Sequence, residues 1–383
     1  MFDLRNFDIR RLPLVRHLAS RRLSVILIAL SAAFIAVEGS FGFGLQRHWS
    51  FVSIMIILMI SLGLTAAVDF SRKSYCPLMS HLGLFLVLLG GLFGALDRTD
   101  VQLMAFADGR QECMAFDRNG NMVQLPFSIS LKEFRVDLYE DGAGPRQFTS
   151  MLFIDGEELQ TSVNHPCRFK GYRIYQSGYD SSDGRYSVLK LVRDPWLPLV
   201  ALGALLLALS ALLGLKSVWN SWKIPVAAIV LAVVFGAVSV ARINFGALPP
   251  ALRSLWFVPH LIVYMLAYSV MALSVIAGLA ALFTKRIPEG LPGKLLSTAS
   301  SLLLIGMLCG AVWAKQAWGD YWTWDAKECW AAATWLLALC GTHAPKKNQR
   351  LVFTLLAFLA IQMTWYGVNY LPTSDRSLHT YFN

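Results

Sequence analysis

The sequence predicts a polytopic α-helical membrane protein with about nine transmembrane helices and one external β-rich domain inserted after the third. Three observations carry this. Of the 383 residues, 56% are hydrophobic and only 15% are charged, against about 25% charged in soluble domains. Long apolar runs recur along the chain, each near the ~20 residues that a bilayer requires. Between the third and fourth runs lies about a hundred residues of mixed, polar sequence.

The elements follow in order. Residues 1–22 are polar and carry Arg5, Arg10, Arg11, Arg16, Arg21 and Arg22. The apolar run Leu23–Val37 comes next. No A-x-A-like site follows it and a second run begins at Trp49, so we read it as a span and not a signal peptide. The second and third spans are Trp49–Val68 and Ser80–Leu96. Six more are expected at about 195–215, 224–241, 256–283, 295–314, 330–343 and 351–368, the eighth being short. The division is then 1–96 (three-helix membrane region), 97–194 (external domain) and 195–383 (second membrane region, with an external tail at 369–383).

Charge tests the threading. The pieces assigned to the cytoplasm hold 16 of the 34 Lys and Arg residues, and the four short external pieces hold six. That bias follows the positive-inside rule and puts the N-terminus in the cytoplasm and the C-terminus and 97–194 outside; the expected location is a bacterial inner membrane. The other 12 basic residues lie in the external domain beside 15 acidic ones. The formal charge of +10 therefore belongs to a rim facing membrane lipid, and no nucleic-acid surface is expected. In 97–194, alternating segments such as PFSISLKEFRVDLY and GYRIYQSGY are separated by NG and DG turns, which predicts strands. Its cysteines, Cys113 and Cys167, leave a disulfide open.

Residues 314–335 read AKQAWGDYWTWDAKECWAAATW and hold five of the 12 tryptophans. A membrane-interface belt accounts for Trp219, Trp222, Trp256 and Trp313. The dense set Trp318, Trp322 and Trp324, interleaved with Asp320, Asp325, Lys327 and Glu328, exceeds a belt and suits a flat ligand. His81 and His343 fall at one membrane level on different helices, and His260 and His379 at the other. His17, His48 and His165 are read as interfacial residues. Two histidine pairs suggest two bis-imidazole metal sites, joined by the helix that runs from the tryptophan stretch to His343.

W-G-x-x-W-x-W-D-x-K-E at Trp318 to Glu328 resembles the signature of WWD-domain haem-handling proteins, which include CcsA/ResC, CcmC and CcmF. RSLWFVPH (253–260) and GVNYLPTSDRSLHTY (367–381) are similar to the two segments that carry external haem-ligand histidines in the CcsA branch. TWLLALCGTH (334–343) resembles the helix leading to a transmembrane histidine. SHLGLFLVLLGGLFG (80–94) and VNHPCRFKGYRIYQSGYD (163–180) resemble the ResB/CcsB family. Together these resemblances imply a fused ResB–CcsA cytochrome c synthase of system II, a haem lyase. Haem b would be both substrate and bound ligand, with His81, His343, His260 and His379 as axial ligands to its iron. His260, His379, Trp318, Trp322, Trp324 and Asp325 would form the reaction site. Arg253 and Lys327, with Arg242, Lys315 and Arg376, are the candidates for the propionates. The implied partners are an apocytochrome c with CxxCH and thioredoxin-like thiol reductants. Three other readings use the same residues: a haem transporter that supplies a separate ligase, a bis-His b-type electron carrier, and an assembly scaffold whose haem is structural. A ligand in a loose tail favours hand-off over permanent holding.

Overall fold

The structure is a computed structural model and describes residues 12–140, 142, 144–180, 184–215, 223–240 and 245–374. His379, Arg376, Arg242, Trp219 and Trp222 lie outside the described residues. The helices are α1 (Pro13–Leu18), α2 (Arg21–Phe41), α3 (Trp49–Ser71), α4 (Tyr75–Asp97), α5 (Leu197–Leu215), α6 (Lys223–Val240), α7 (Phe257–Phe283), α8 (Leu291–Trp318), α9 (Ala326–His343) and α10 (Lys347–Trp365). Six of them, α2, α3, α4, α5, α7 and α8, are long and apolar enough to cross a membrane. The chain is thus a polytopic helical membrane protein.

Local chemistry sets the helix ends. Ser20 caps α2 by accepting from the Leu23 amide at 3.3 Å, satisfying one of the donors a helix start leaves open. Pro259 sits in the first turn of α7, where its missing N–H costs nothing. α4 starts at Tyr75, five residues before the expected Ser80, and α9 starts at Ala326 rather than at residue 330. Asp325 is the N-cap of α9 and Glu328 closes a capping box. At 18 residues, α9 is about 27 Å long.

The glycines of α4 form a groove for α5. A Cβ at Gly83 would lie 2.8 Å from the Gly203 carbonyl, and one at Gly203 would lie 2.7 Å from the Gly83 carbonyl. About two and three turns further along the same face, Gly90 takes Val200 and Gly94 takes Trp196. Small residues at such spacing let helix backbones approach where no water drives association.

Between α4 and α5, residues 99–193 form eight strands: β1 (Thr99–Phe106), β2 (Glu112–Asp117), β3 (Met122–Leu138), β4 (Pro145–Ile154), β5 (Glu157–Ser162), β6 (Cys167–Phe169), β7 (Tyr172–Tyr179) and β8 (Tyr186–Arg193). They make one antiparallel sheet in the order β5-β4-β3-β2-β1-β8-β7-β6. Along β3, Leu125, Phe127, Ile129 and Leu131 are buried at period two. They pack with Leu152, Ile154, Ile174, Leu189 and Leu191, each side chain being worth about 1.5–3 kcal/mol on full burial. The sheet rolls over this core, so that Thr161 Oγ1 of β5 donates to the Ile174 carbonyl of β7 at 2.8 Å. Cys113 and Cys167 are both free thiols.

Candidate functional site

Two of the predicted histidines meet. His81, in the second turn of α4, and His343, the last residue of α9, have ring centroids 6.5 Å apart with 56° between planes. Metal–imidazole bonds of about 2 Å would put the two ligating nitrogens about 4 Å apart and the ring centres about 6 Å apart. The planes are free to turn about the metal–nitrogen axis, so the separation fits a shared metal. Each Nδ1 is already engaged. His81 Nδ1 bonds Asp69 Oδ2 at 2.6 Å. His343 Nδ1 lies 2.9 Å from the Leu339 carbonyl and 3.1 Å from Thr342 Oγ1. Neither Nε2 has a hydrogen-bond partner among the described residues. A metal-binding histidine is characteristically anchored in this way through its other nitrogen.

His260 stands near the opposite end of the bundle, in the first turn of α7. Its Nδ1 lies 2.8 Å from the Gly306 carbonyl of α8, and its ring stacks edge-on against Tyr264 and beside Trp313, with centroids at 4.8 and 5.8 Å. Gly310 makes the seat: a Cβ there would lie 2.7–2.8 Å from the imidazole. His379, its expected partner, lies outside the described residues.

The tryptophans form two groups rather than one shelf. Trp318 packs with Trp313 at 5.3 Å, and Trp313 with Phe257 at 5.3 Å. Trp322 meets Trp324 edge-on at 6.3 Å, and Trp324 meets Phe51 of α3 at 5.8 Å. Trp313 is buried and its Nε1 donates to the Ala251 carbonyl at 2.8 Å. It is therefore part of the His260 wall and no belt residue. Trp324 has φ +63°, a conformation that costs a bulky residue about 1–3 kcal/mol and gathers at functional sites.

The carboxylates of the loop are engaged in its fold. Asp325 accepts from the Lys327 amide at 2.8 Å. Glu328 Oε2 accepts from the amides of Thr323 and Asp325 at 2.7 and 3.2 Å and from Thr323 Oγ1 at 3.1 Å. Lys315 is buried and donates to the Gly319 carbonyl at 2.9 Å. Arg253 is exposed, with its guanidinium 5.8 Å above the Tyr139 ring. Lys327 lies in the first turn of α9.

Asp320 does what its sequence position did not reveal: it fastens the loop to the sheet. It pairs with Arg98, with Lys190 at 2.5 Å and with Arg118 at 3.1 Å, and Asp100 sits among the same cations. Burial pushes the Asp320 carboxyl up, but Lys190 and Arg98 outweigh it and hold the group below the ordinary carboxylate range. Next to it, Gly319 at φ +82° leaves room for the Tyr175 ring, which a Cβ would meet at 3.0 Å. Burial raises the Tyr175 hydroxyl to about 12. Tyr175 Oη and Trp330 Nε1, both beside this loop, are buried without a hydrogen-bond partner among the described residues.

This geometry defines a polytopic membrane protein in which a rolled sheet grips a tryptophan-rich loop, with histidines near both ends of the helix bundle. Residues 71–185 match the ResB-like family and residues 196–374 match the family described as cytochrome C assembly protein. The two matches follow one another along the chain and together support a fused ResB–CcsA cytochrome c biogenesis protein. It is 29% identical over 153 residues to the cytochrome c biogenesis protein CcsA of Chlamydomonas reinhardtii, covering 35% of this chain and 42% of that protein. With CcsA of Zea mays it shares 40% identity over 94 residues, 23% of this chain and 28% of that one. With CcsA of Pyropia yezoensis it shares 28% over 216 residues, 41% of this chain and 67% of that one. The chain thus spans less than half the length of the first two relatives.

Proposed function

We propose that the protein carries haem across a bacterial inner membrane and presents it for covalent attachment to the CxxCH of an apocytochrome c. The observation that carries this is the His81–His343 pair, two anchored imidazoles at a separation that suits one iron. In this reading nine helices span the membrane, the N-terminus is cytoplasmic and the sheet lies outside. Haem enters between His81 and His343 and moves along α9 to the tryptophan loop, where His260 and His379 take the iron. Trp318, Trp322, Trp324 and Trp313 wall the macrocycle, and Arg253 and Lys327 face the propionates.

Attachment then needs proximity and little acid–base help. Each cysteine thiol adds across a haem vinyl group: a carbon–sulfur bond forms, the carbon–carbon double bond becomes single, and the thiol proton ends on the other vinyl carbon. No oxidant or reductant is consumed in that step. Thioredoxin-like reductants would keep the two thiols from pairing beforehand.

The test is co-expression with a CxxCH reporter in a host stripped of its own maturation pathway. Covalent haem on the reporter is expected, lost in His260→Ala and His379→Ala. Stable expression with no haem on the reporter would end the lyase reading. A second reading is favoured by one feature: His81 and His343 face each other on bundle helices, as ligands of a b-type electron carrier do. Purified protein that holds haem through repeated washing and never releases it to a reporter would favour the carrier.

A further inference from the structure

Asp69 is a carboxyl group in an apolar helix, and burying one there is costly unless it serves a partner. It lies in the last turn of α3, and its side chain is 12% exposed. Among the described residues its one side-chain bond is the 2.6 Å contact to His81 Nδ1. Within that same set it caps no helix with its carboxylate and pairs with no Lys or Arg. The other two described histidines of the proposed path are anchored differently. His343 Nδ1 meets the Leu339 carbonyl and the Thr342 hydroxyl, and His260 Nδ1 meets the Gly306 carbonyl. Those three anchors are neutral, whereas the anchor of His81 is a carboxylate.

We propose that Asp69 is a positioning residue that makes the His81–His343 pair asymmetric and favours ferric iron there. The inference rests on the haem reading above. The Asp69–His81 bond fixes the imidazole as its Nδ1–H tautomer and leaves Nε2 as the ligating atom. The carboxylate also makes that imidazole a stronger donor than one bonded to a carbonyl. Added electron density on the ligand stabilises Fe(III) over Fe(II). Haem between His81 and His343 then has a lower reduction potential than it would have between two imidazoles anchored only on neutral groups.

The experiment is a redox titration, followed by haem absorbance, of purified full-length protein in a His260→Ala background, where the signal comes from the His81–His343 pair. Asp69→Asn keeps an acceptor for Nδ1 and removes the charge. Its preference for ferric iron is expected to fall about tenfold, a rise of about 59 mV in a one-electron couple. Asp69→Glu keeps the charge and is expected to stay within about twofold of the parent, well under that shift. A potential unchanged in Asp69→Asn at parental haem content overturns the proposal. So does an Asp69→Glu shift as large as that of Asp69→Asn. His260→Ala protein that takes up no haem, while the wild type does, refutes a loaded His81–His343 pair and this proposal with it. Wild-type protein that binds no haem at all overturns the haem reading itself.

Discussion

Replacing Asp320 with asparagine tests whether the sheet holds the tryptophan loop by charge. Its carboxylate is 6% exposed, and Lys190 is 11% and Arg98 23% exposed. The neutral amide of the Asp320→Asn variant would leave those two cations and Arg118 with Asp100 as the one acid within ion-pair distance among the described residues. Breaking a buried ion pair from one side costs about 3–5 kcal/mol. The Arg118 arm, 58% exposed, adds well under about 1 kcal/mol after screening. A net loss of about 3 kcal/mol is expected, which over 383 residues is a fall of roughly 4 °C in the melting midpoint of detergent-purified protein. The sign with pH follows from the depressed carboxyl. Its contribution is complete above the ordinary value of 3.8 and disappears as pH falls through the lower folded value. The gap between wild type and Asp320→Asn should therefore stay level from pH 8 to about 5 and close only in strong acid. A double-mutant cycle with Lys190→Met should give a coupling above about 1 kcal/mol. A coupling near zero, or a melting midpoint unmoved at pH 7, would refute the argument.

Three further outcomes are expected. Gly310→Ala puts a Cβ within 2.8 Å of the His260 ring; it should abolish the haem signal that depends on His260 and spare the one that depends on His81, as read by absorbance in each single-site background. Glu328→Ala removes three hydrogen bonds and the capping box; it should cost about 1–2 kcal/mol and expose Trp322 and Trp324 to an aqueous fluorescence quencher. Burial raises the Cys167 thiol to about 11; maleimide should label it slowly at pH 7 and faster with each step toward that value, with no reductant needed first.

The membrane character was legible because it depends on composition and on runs of about 20 residues, both local properties. The strands of 97–194 were legible from alternation and turn residues for the same reason. What the sequence hid is what depends on contact at a distance. Asp320 meets Arg98 and Lys190 across more than a hundred residues, and nothing in WGDYW announces an ion pair. Trp313 looked like a belt residue because its partners, Phe257 and His260, lie on another helix. Asp325 and Glu328 looked like chemistry because they stand among tryptophans, yet their spacing is also that of a capping box, a signal present and passed over. Asp69 and His81 flank the tight turn between α3 and α4, so an acid and a histidine spaced about the turn could have been paired from sequence alone.

The two family regions are interleaved rather than tethered. α2 lies ahead of the ResB-like match, yet it packs on α9 of the cytochrome c assembly match, where a Cβ on Gly39 would fall 2.5 Å from Cys329 Cβ. Thr373 Oγ1 closes the same contact by donating to the Gly39 carbonyl at 2.7 Å. From the sheet, Tyr139 donates to the Leu248 carbonyl and Asn164 to the Pro250 carbonyl, each within 2.9 Å, and Asp320 reaches back to the sheet. The histidine pair itself is divided: His81 falls in the first match and His343 in the second. Neither region alone can bring these two imidazoles to 6.5 Å. If the pair holds iron, joining the two regions in one chain fixes the ligand geometry covalently, so ordering it costs less than when two partners must first find each other.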